Sequence, residues 1–326
     1  GRAREMLEVL FLVLPLFGVI FLGYLAGRIV KLPIEGLAWL NFFIVHLALP
    51  AMFFRLLSRT PLSEFGNFGF IATTTFAALV IFSVTFFIAG ARNGGNVGEA
   101  TIQGFGGAYG NIGYMGPPLA LAVFGPQAGV PVALIFCFEN AMHFTLAPLL
   151  MAFHQREHTG AGRLVGEILK RIFTHPFIIA TLVGVAAAAI QFEAPAPMAK
   201  MLDFLSAGAA PCALFAMGVT AALRPLKRVP VELAYLVPIK LIVHPALVLV
   251  LLAIAVPGSN IVWIETAVLL AALPSATNVF VIAQQYGTWQ ERASSTVVIS
   301  TAIAVVTLTG VIYLLREGYV AGWLAG

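Results

Sequence analysis

The sequence Gly110-Asn111-Ile112-Gly113-Tyr114-Met115-Gly116-Pro117-Pro118 lies inside an apolar run that extends from about residue 100 to residue 124. That run is otherwise long enough to cross a bilayer as one helix. Proline removes a backbone donor and clashes with the preceding turn, and glycine weakens the helix around it. We therefore predict a membrane helix that opens near the middle of the bilayer, with Pro117 and Pro118 maintaining the break.

A second break is predicted at Pro274-Ser275-Ala276-Thr277-Asn278, inside the apolar run from about residue 261 to residue 286. Here Pro274 is the residue that interrupts the helix. Open backbone at this depth is tolerated only where protein buries it or a watery cavity faces it. Two interrupted helices, one in each half of a chain, indicate the binding site of a secondary transporter.

The composition excludes a soluble domain, because 60% of the residues are hydrophobic and only 10% are charged. The net charge of +4 is distributed over short loops, so we predict no nucleic-acid partner. Cys137 and Cys212 lie in apolar runs and are expected to be small buried hydrophobes. No ATP-binding loop is present, which favours secondary transport, and neither an enzyme nor a metal site is predicted.

A five-residue segment, His154-Gln155-Arg156-Glu157-His158, formally fits the zinc-peptidase pattern H-x-x-E-H. It lies in a short charged loop between helices, with no evident scaffold for a third ligand. We interpret it as part of a solvated cytoplasmic loop rather than as a catalytic metal site.

Ten apolar runs have the length of a membrane span. They lie at about 6–27, 34–57, 66–90, 98–124, 127–153, 170–191, 198–223, 229–256, 261–286 and 290–315. The most polar segment follows the fifth run. We therefore predict an all-α integral membrane protein with a first five-helix repeat at 1–153, a cytoplasmic linker at 154–169 and a second five-helix repeat at 170–326.

Five spans per half is an odd number, so the two halves must run through the membrane in opposite directions. Faint internal similarity supports this division, since residues 47–53 in span two resemble residues 209–215 in span seven. Both breaks also fall in the fourth span of their half, as expected of an inverted repeat. Lys and Arg are concentrated in the cytoplasmic loops if the N-terminus is outside, so we predict that both termini lie outside the cytoplasm.

Asn111 and Asn278 lie beside the two breaks, where a carboxamide offers both donors and an acceptor to a ligand. The restarting half-helices present unpaired N–H groups and partial positive charge, which suit a small carboxylate. In the alternative interpretation, each Asn only caps its own broken backbone. The other predicted substrate-binding residues are Gly113, Tyr114, Gly116, Ser275 and Thr277.

Glu139 lies near the middle of span five, followed by Asn140 and, one turn later, by His143. A carboxylate in hydrocarbon is costly and needs a cavity or a partner. Because Glu and His four residues apart share a helical face, we predict a coupling site for a proton or sodium. The alternative is a structural hydrogen-bonded cluster. Lys240 in span eight either extends to the cytoplasmic surface or pairs with Asp203 or Glu139.

Residues 111–119 resemble the fourth-helix signature of the auxin efflux carrier family, and residues 274–280 resemble its ninth-helix signature. The resemblance covers nearly the whole chain, and the short middle loop departs from the long-loop plant members of the family, which also includes bacterial, malonate-transporter-like members. It implies ten helices in two inverted repeats, with a scaffold domain, a transport domain and crossed, unwound helices four and nine. It also implies organic anions as substrates, with Asn111 matching an Asn associated with carboxylate binding, and a homodimer is plausible by the same resemblance.

We therefore predict a carrier in the plasma (inner) membrane that moves a small organic anion, auxin-like or dicarboxylate, by alternating access. It needs no cofactor, although H⁺ or Na⁺ could couple transport. Two alternatives remain open: a sodium-coupled carrier similar to the bile-acid symporters, and a membrane sensor that binds its ligand without transporting it.

Overall fold

The fold was determined from a computed structural model that describes residues 2–155, 160–224, 226 and 228–325. The described part of the chain is helical, apart from one isolated β-bridge. Its α-helices are α1 (Arg2–Val30), α2 (Ala38–Phe43), α3 (Leu49–Leu57), α4 (Phe68–Arg92), α5 (Val97–Ala108), α6 (Gly116–Phe124), α7 (Gly129–Gln155), α8 (Ala161–Phe173), α9 (Pro176–Ala189), α10 (Ala196–Leu223), α11 (Leu233–Pro238), α12 (His244–Ala255), α13 (Ile261–Ala271), α14 (Thr277–Gln285), α15 (Gln290–Arg316) and α16 (Tyr319–Ala325). A π-helical turn joins α2 to α3, and another joins α11 to α12.

Seven helical segments in the described residues are long and apolar enough to span a membrane, or eight if α8 and α9 are counted as one broken span. The seven are Ala3–Val30, Ile34–Leu57, Phe68–Arg92, Pro126–His154, Ala196–Leu223, Leu233–Ala255 and Gln290–Arg316. The predicted integral membrane protein is thereby confirmed. The other predicted spans are shorter or interrupted helices, and the ten-helix inverted repeat remains a prediction.

The sixth predicted span began too early. Residues 170–173 belong to the preceding helix α8, and α9 begins at Pro176. Proline suits the first helical turn because its missing N–H would have no helical partner there. His175 caps this start, since its ring Nδ1 accepts a hydrogen bond from the Phe177 N–H at 3.3 Å.

The chain forms two compact units, each of which draws on both halves of the sequence. Unit 1 contains Gly1–Asn67, Gly113–Cys137 and Thr174–Pro225, and unit 2 contains Phe68–Ile112, Phe138–Phe173 and Leu226–Gly326. The predicted division into two sequence repeats stays a prediction. The predicted linker at 154–169 lies partly outside the described residues, because 156–159, which include Glu157 and His158 of the zinc-peptidase pattern, are not described.

Unit 1 is organised around a close approach of α1 and α10. A Cβ atom added at Gly23 would lie 2.2 Å from the carbonyl oxygen of Phe215, and one added at Gly218 would lie 1.9 Å from the carbonyl oxygen of Ile20. The two backbones therefore touch directly. Glycine at a membrane helix interface permits this contact, which gains dispersion energy where lipid supplies no hydrophobic driving force.

Unit 2 buries α5 in its core. Glycines on α5 allow α4 to pack closely, since a Cβ at Gly104 would lie 2.7 Å from the ring of Phe82 and one at Gly107 would lie 2.4 Å from Thr85 Oγ1. Between these two glycines, Phe105 is fully buried. This packing fixes the C-terminal end of α5, from which the candidate site begins.

The close α1–α10 contact predicts that Gly→Ala substitutions at two positions of α1 differ in their effect on the melting temperature. We expect Gly23→Ala to lower the melting temperature of the purified protein, because its methyl group cannot fit against Phe215 without moving backbone. Gly18→Ala is the matched control, since nothing lies within 4 Å of its Cβ position. Alanine is favoured over glycine in a helix by about 1 kcal/mol, so this control should melt unchanged or slightly higher. Equal melting of the two variants would contradict the close contact.

Candidate functional site

Two unwound segments of unit 2 meet through their backbones. One follows α5, which ends at Ala108, and the other follows α13, which ends at Ala271. Gly110 and Ser275 form an antiparallel β-bridge. The Asn111 N–H donates to the Pro274 carbonyl at 2.8 Å, and the Ala276 N–H donates to the Tyr109 carbonyl at 2.9 Å. We call this pairing of Tyr109–Asn111 with Pro274–Ala276 the backbone bridge.

Ser275 holds the backbone bridge in place. Its side chain is 1% exposed, and its hydroxyl donates to the Gly106 carbonyl at 2.7 Å, on the last turn of α5. Its N–H donates to the Ser300 hydroxyl at 3.2 Å. The predicted substrate-binding residue Ser275 thus has its hydroxyl directed to backbone, and Ser300 on α15 completes the support.

A hydrogen-bonded chain of three side chains begins at the start of α14. Asn278 Nδ2 donates to the Tyr109 hydroxyl at 2.8 Å, and this hydroxyl donates to Asn140 Oδ1. Tyr109 and Asn140 are each 1% exposed, whereas Asn278 is exposed. We call these residues the Asn–Tyr–Asn chain. It connects an accessible carboxamide with the interior of α7.

The N-terminus of α14 offers backbone donors beside the same carboxamide. Its N-cap residue, Ala276, has no side chain that could cap the helix. The first N–H groups of any helix lack intrahelical partners and carry the positive end of the helix dipole. Thr277, which is partly buried, and Asn278 occupy these first positions.

The remaining predicted residues of the fourth-span signature lie in unit 1. The Tyr114 hydroxyl donates to Asn41 Oδ1 at 3.2 Å, and a Cβ at Gly113 would lie 3.2 Å from the Phe136 ring. α6 begins at Gly116. Pro117 and Pro118 occupy its first turn, where they remove two N–H donors that would otherwise point out of the helix.

Lys240 belongs to the π-helical turn between α11 and α12 and is fully buried. Its ammonium group lies at the C-terminal end of α13. Its ammonium donates to the carbonyl oxygen of Ala271 at 2.5 Å and lies 3.3 Å from His244 Nδ1. A helix C-terminus carries partial negative charge, so a cation is favoured there. The ammonium also lies close to the backbone bridge, since a Cβ added at Gly110 would be 3.2 Å from Lys240 Nζ.

This burial settles the predicted alternatives for Lys240. Extension to the cytoplasmic surface is wrong, because the side chain is 0% exposed. Asp203 is paired with Arg55, whose Nη2 lies 2.7 Å from its carboxylate. Lys240 instead interacts electrostatically with Glu139, the buried carboxylate of α7.

The three predicted coupling residues are all buried in unit 2. Glu139 is 5% exposed, and Asn140 belongs to the Asn–Tyr–Asn chain. The His143 ring stacks on the Tyr109 ring, with their centroids 4.0 Å apart. Neither nitrogen of His143, nor Nε2 of His244, has a hydrogen-bond partner among the described residues. A buried polar atom without a partner costs about 1–3 kcal/mol, so these atoms mark a place where a polar ligand would be stabilised.

Sequence reasoning missed Tyr109, which is central to the site. The available signal was its position directly before Gly110-Asn111, since a residue at the edge of a helix break faces the same interior. A search of the described residues finds no group of three or more His, Cys, Asp or Glu side chains that could hold a metal ion.

An integral membrane protein with two interrupted helices, polar side chains at both breaks and buried charges at their ends has the features of a membrane transporter. The chain belongs to the family described as "Membrane transport protein", which matches residues 8–312. This confirms the resemblance to the auxin efflux carriers. The family and the relatives below are transporters, as expected for a protein that is not an enzyme.

Two relatives match along nearly their full length. A Rhizobium meliloti (strain 1021) protein named "Putative malonate transporter" is 56% identical over 314 residues, which cover 96% of this chain and 98% of that protein. A Methanothermobacter thermautotrophicus (strain Delta H) protein named "Uncharacterized transporter" is 25% identical over 310 residues, which cover 94% of this chain and 96% of that protein.

The buried charge pair predicts non-additive stability effects. We expect Lys240→Met to lower the unfolding free energy by about 1–3 kcal/mol, because it leaves the buried carbonyl of Ala271 without its donor. The double variant Glu139→Gln/Lys240→Met should recover about 1–3 kcal/mol relative to the sum of the single variants. Denaturant unfolding in mixed micelles measures all three.

Arg55→Met is the control for loss of a basic side chain, because its partner Asp203 is 57% exposed. Such a pair contributes at most about 1 kcal/mol. If the changes in unfolding free energy of the Glu139 and Lys240 single variants simply add up in the double variant, an interaction between these two side chains is contradicted.

Proposed function

We propose that this protein is a secondary carrier for a small organic anion, with a dicarboxylate of malonate size as the first candidate. It works by alternating access, with ten membrane helices arranged as two inverted five-helix repeats. Unit 1 acts as the scaffold and unit 2 as the transport domain. The family match, the printed name of the Rhizobium relative and the two interrupted helices support this proposal.

The observation that carries the proposal is the group of donors at the start of α14. A carboxamide nitrogen has two hydrogens, and the Asn278–Tyr109 bond uses one of them. The second hydrogen and the N–H groups of Thr277 and Asn278 are the donors proposed for a carboxylate, whereas the next N–H of α14, that of Val279, donates to the Ala276 carbonyl. Asn111 and Thr277 complete the proposed substrate-binding residues of this unit, and Gly113, Tyr114 and Gly116 remain predicted substrate-binding residues of unit 1.

The donors at the start of α14 are uncharged, which suits a carrier. A carrier must release its substrate on the far side of the membrane, and a direct ion pair with a buried cation would hold a carboxylate too tightly. Lys240 supplies positive potential instead of a direct contact, because its ammonium is engaged by the Ala271 carbonyl. Anion selectivity thus arises from a nearby fixed charge, and binding geometry arises from neutral donors.

Coupling is proposed to involve Glu139, Asn140 and His143 with H⁺ or Na⁺. Glu139 interacts electrostatically with Lys240, and His143 stacks on the tyrosine of the Asn–Tyr–Asn chain, so both groups lie close to residues of the proposed anion site. A plasma (inner) membrane location, termini outside the cytoplasm and a homodimer remain parts of the same proposal.

Ligand-dependent thermal stabilisation tests the anion site. Purified protein is melted with malonate, other mono- and dicarboxylates and indole-3-acetate, with and without sodium and at two pH values. At a ligand concentration of about 100 times Kd, binding stabilises the folded state by about 2.7 kcal/mol. We expect this stabilisation for wild type and its loss in Asn111→Ala and Asn278→Ala, because each removes a carboxamide beside a break.

Asn260→Ala is the matched control, because Asn260 caps the other end of α13, where its Oδ1 accepts from the Val262 N–H at 2.9 Å. This variant should melt lower without ligand and keep the full ligand shift. Equal ligand shifts in Asn278→Ala and wild type would reject the site at α14. Stabilisation without counterflow in liposomes would show a sensor instead of a carrier.

The coupling proposal predicts that Glu139→Gln makes uptake into liposomes independent of both pH and sodium. The amide keeps the shape of the carboxyl group but can neither take up a proton at these pH values nor bind a cation by charge. Counterflow exchange of substrate, which needs no net ion movement, should persist and serves as the internal control. An unchanged pH or sodium dependence would place the coupling site elsewhere.

A further inference from the structure

Helix α8, Ala161–Phe173, has one apolar face and one charged face. Residues three and four apart lie on the same side of a helix, which separates the two sets around its axis. The apolar side consists of Leu164, Val165, Ile168, Leu169, Ile172 and Phe173. The charged side consists of Arg163, Glu167, Lys170 and Arg171.

The described part of the chain covers only one edge of the apolar face of α8, where Leu164, Ile168 and Ile172 are half-buried. No residue of α8 is buried. Val165 is 52% exposed, Leu169 is 48% exposed and Phe173 is 57% exposed. Consecutive turns of the helix therefore present large apolar side chains outward, which is a docking surface rather than a set of isolated exposed residues.

α8 and α9 together are apolar enough for one broken span, but the length and charges of α8 favour a position outside the hydrocarbon. Its 13 residues reach about 20 Å, and an α8–α9 span would place Lys170 and Arg171 within the hydrocarbon, where each charge is costly. The preceding helix α7 is long and apolar enough to span a membrane, and only Thr174 and His175 separate α8 from the apolar helix α9. The helix is therefore tethered at the membrane surface.

The charges of α8 indicate which surface it faces. Three basic residues and one acidic residue leave a net charge of +2, and Glu167 is itself engaged by Arg163 at 3.5 Å. A cationic face beside an apolar face of this kind is typical of helices that lie in the plane of an anionic membrane interface. Each basic residue near such a surface strengthens the association roughly fivefold.

We propose that α8 is an interfacial helix that binds the anionic lipid surface of the membrane in which the protein is embedded. Val165, Leu169 and Phe173 lie among the acyl chains, and Lys170 and Arg171 contact anionic headgroups. The bilayer itself thus holds the segment between the two halves of the chain. The inference is independent of the transported substrate.

Site-directed spin labelling of the full-length protein tests this proposal. Single cysteines replace Val165, Leu169 or Glu167 in a Cys137→Ala/Cys212→Ala background, and each carries a nitroxide. Collisions with oxygen and with a water-soluble nickel chelate are measured in vesicles of phosphatidylcholine alone or with phosphatidylglycerol. We expect labels at 165 and 169 to be immersed in lipid and the label at 167 to be in water, most clearly in the anionic vesicles.

Lys170→Gln/Arg171→Gln should lower the ratio of immersed to detached label at 169 on the order of 25-fold in anionic vesicles. The matched control Arg28→Gln/Lys31→Gln removes one basic residue from the last turn of α1 and one just after that helix, and it should leave this ratio unchanged. Water exposure at all three positions would overturn the proposal. Spin–spin broadening between copies at 165 and 169 would overturn it as well, because a second protein molecule would then cover the face.

Discussion

The backbone bridge is the constraint on which the rest of unit 2 depends. A peptide group without a partner at bilayer depth costs several kcal/mol, so a membrane helix cannot simply unwind. Here each unwound segment supplies hydrogen-bond partners for the other. The Asn111 N–H donates to the Pro274 carbonyl, and the Ala276 N–H donates to the Tyr109 carbonyl. The two breaks therefore require each other. A chain with only one of them would expose unpaired peptide groups to hydrocarbon, which explains why the sequence contains both.

Breaking a helix also creates a C-terminal end with partial negative charge and an N-terminal end with partial positive charge. These two ends have different surroundings in the structure. The C-terminal end of α13 is neutralised by the Lys240 ammonium, which explains how a lysine can be fully buried. The N-terminal end of α14 has no capping side chain and carries its positive dipole next to exposed Asn278. The negative end of α13 is compensated by Lys240, whereas the positive end of α14 remains for a ligand. This asymmetry is the physical basis for expecting an anion.

Local signals predicted the breaks well, because proline and glycine act on their own stretch of backbone. They did not reveal what satisfies the broken ends. Ser275 depends on Ser300 and Gly106, and Tyr109 depends on Asn278, 169 residues away. Such partners are set by tertiary packing, which a single sequence does not encode in any short pattern.

The position of α8 was missed for a related reason. Its charged residues made the segment after residue 154 look like a loop, although the apolar residues between them recur every three to four positions. The average polarity of the segment indicated a loop, whereas the spacing of its apolar residues indicated a helix. The predicted sixth span therefore began at residue 170, inside α8. The structure resolves this conflict, because it places the charges and the apolar residues on one surface helix.

Tyr109 physically links the proposed anion site with the proposed coupling residues. Its hydroxyl accepts from Asn278 and donates to Asn140, and its ring stacks on His143. A carboxylate that accepts from Asn278 polarises this carboxamide and so alters the hydrogen bond that Tyr109 receives. That change reaches Asn140, which neighbours Glu139 on α7. Under the proposed function, occupancy of the anion site and protonation of the buried cluster are coupled through this one side chain, which is what a secondary carrier needs in order to link two solutes.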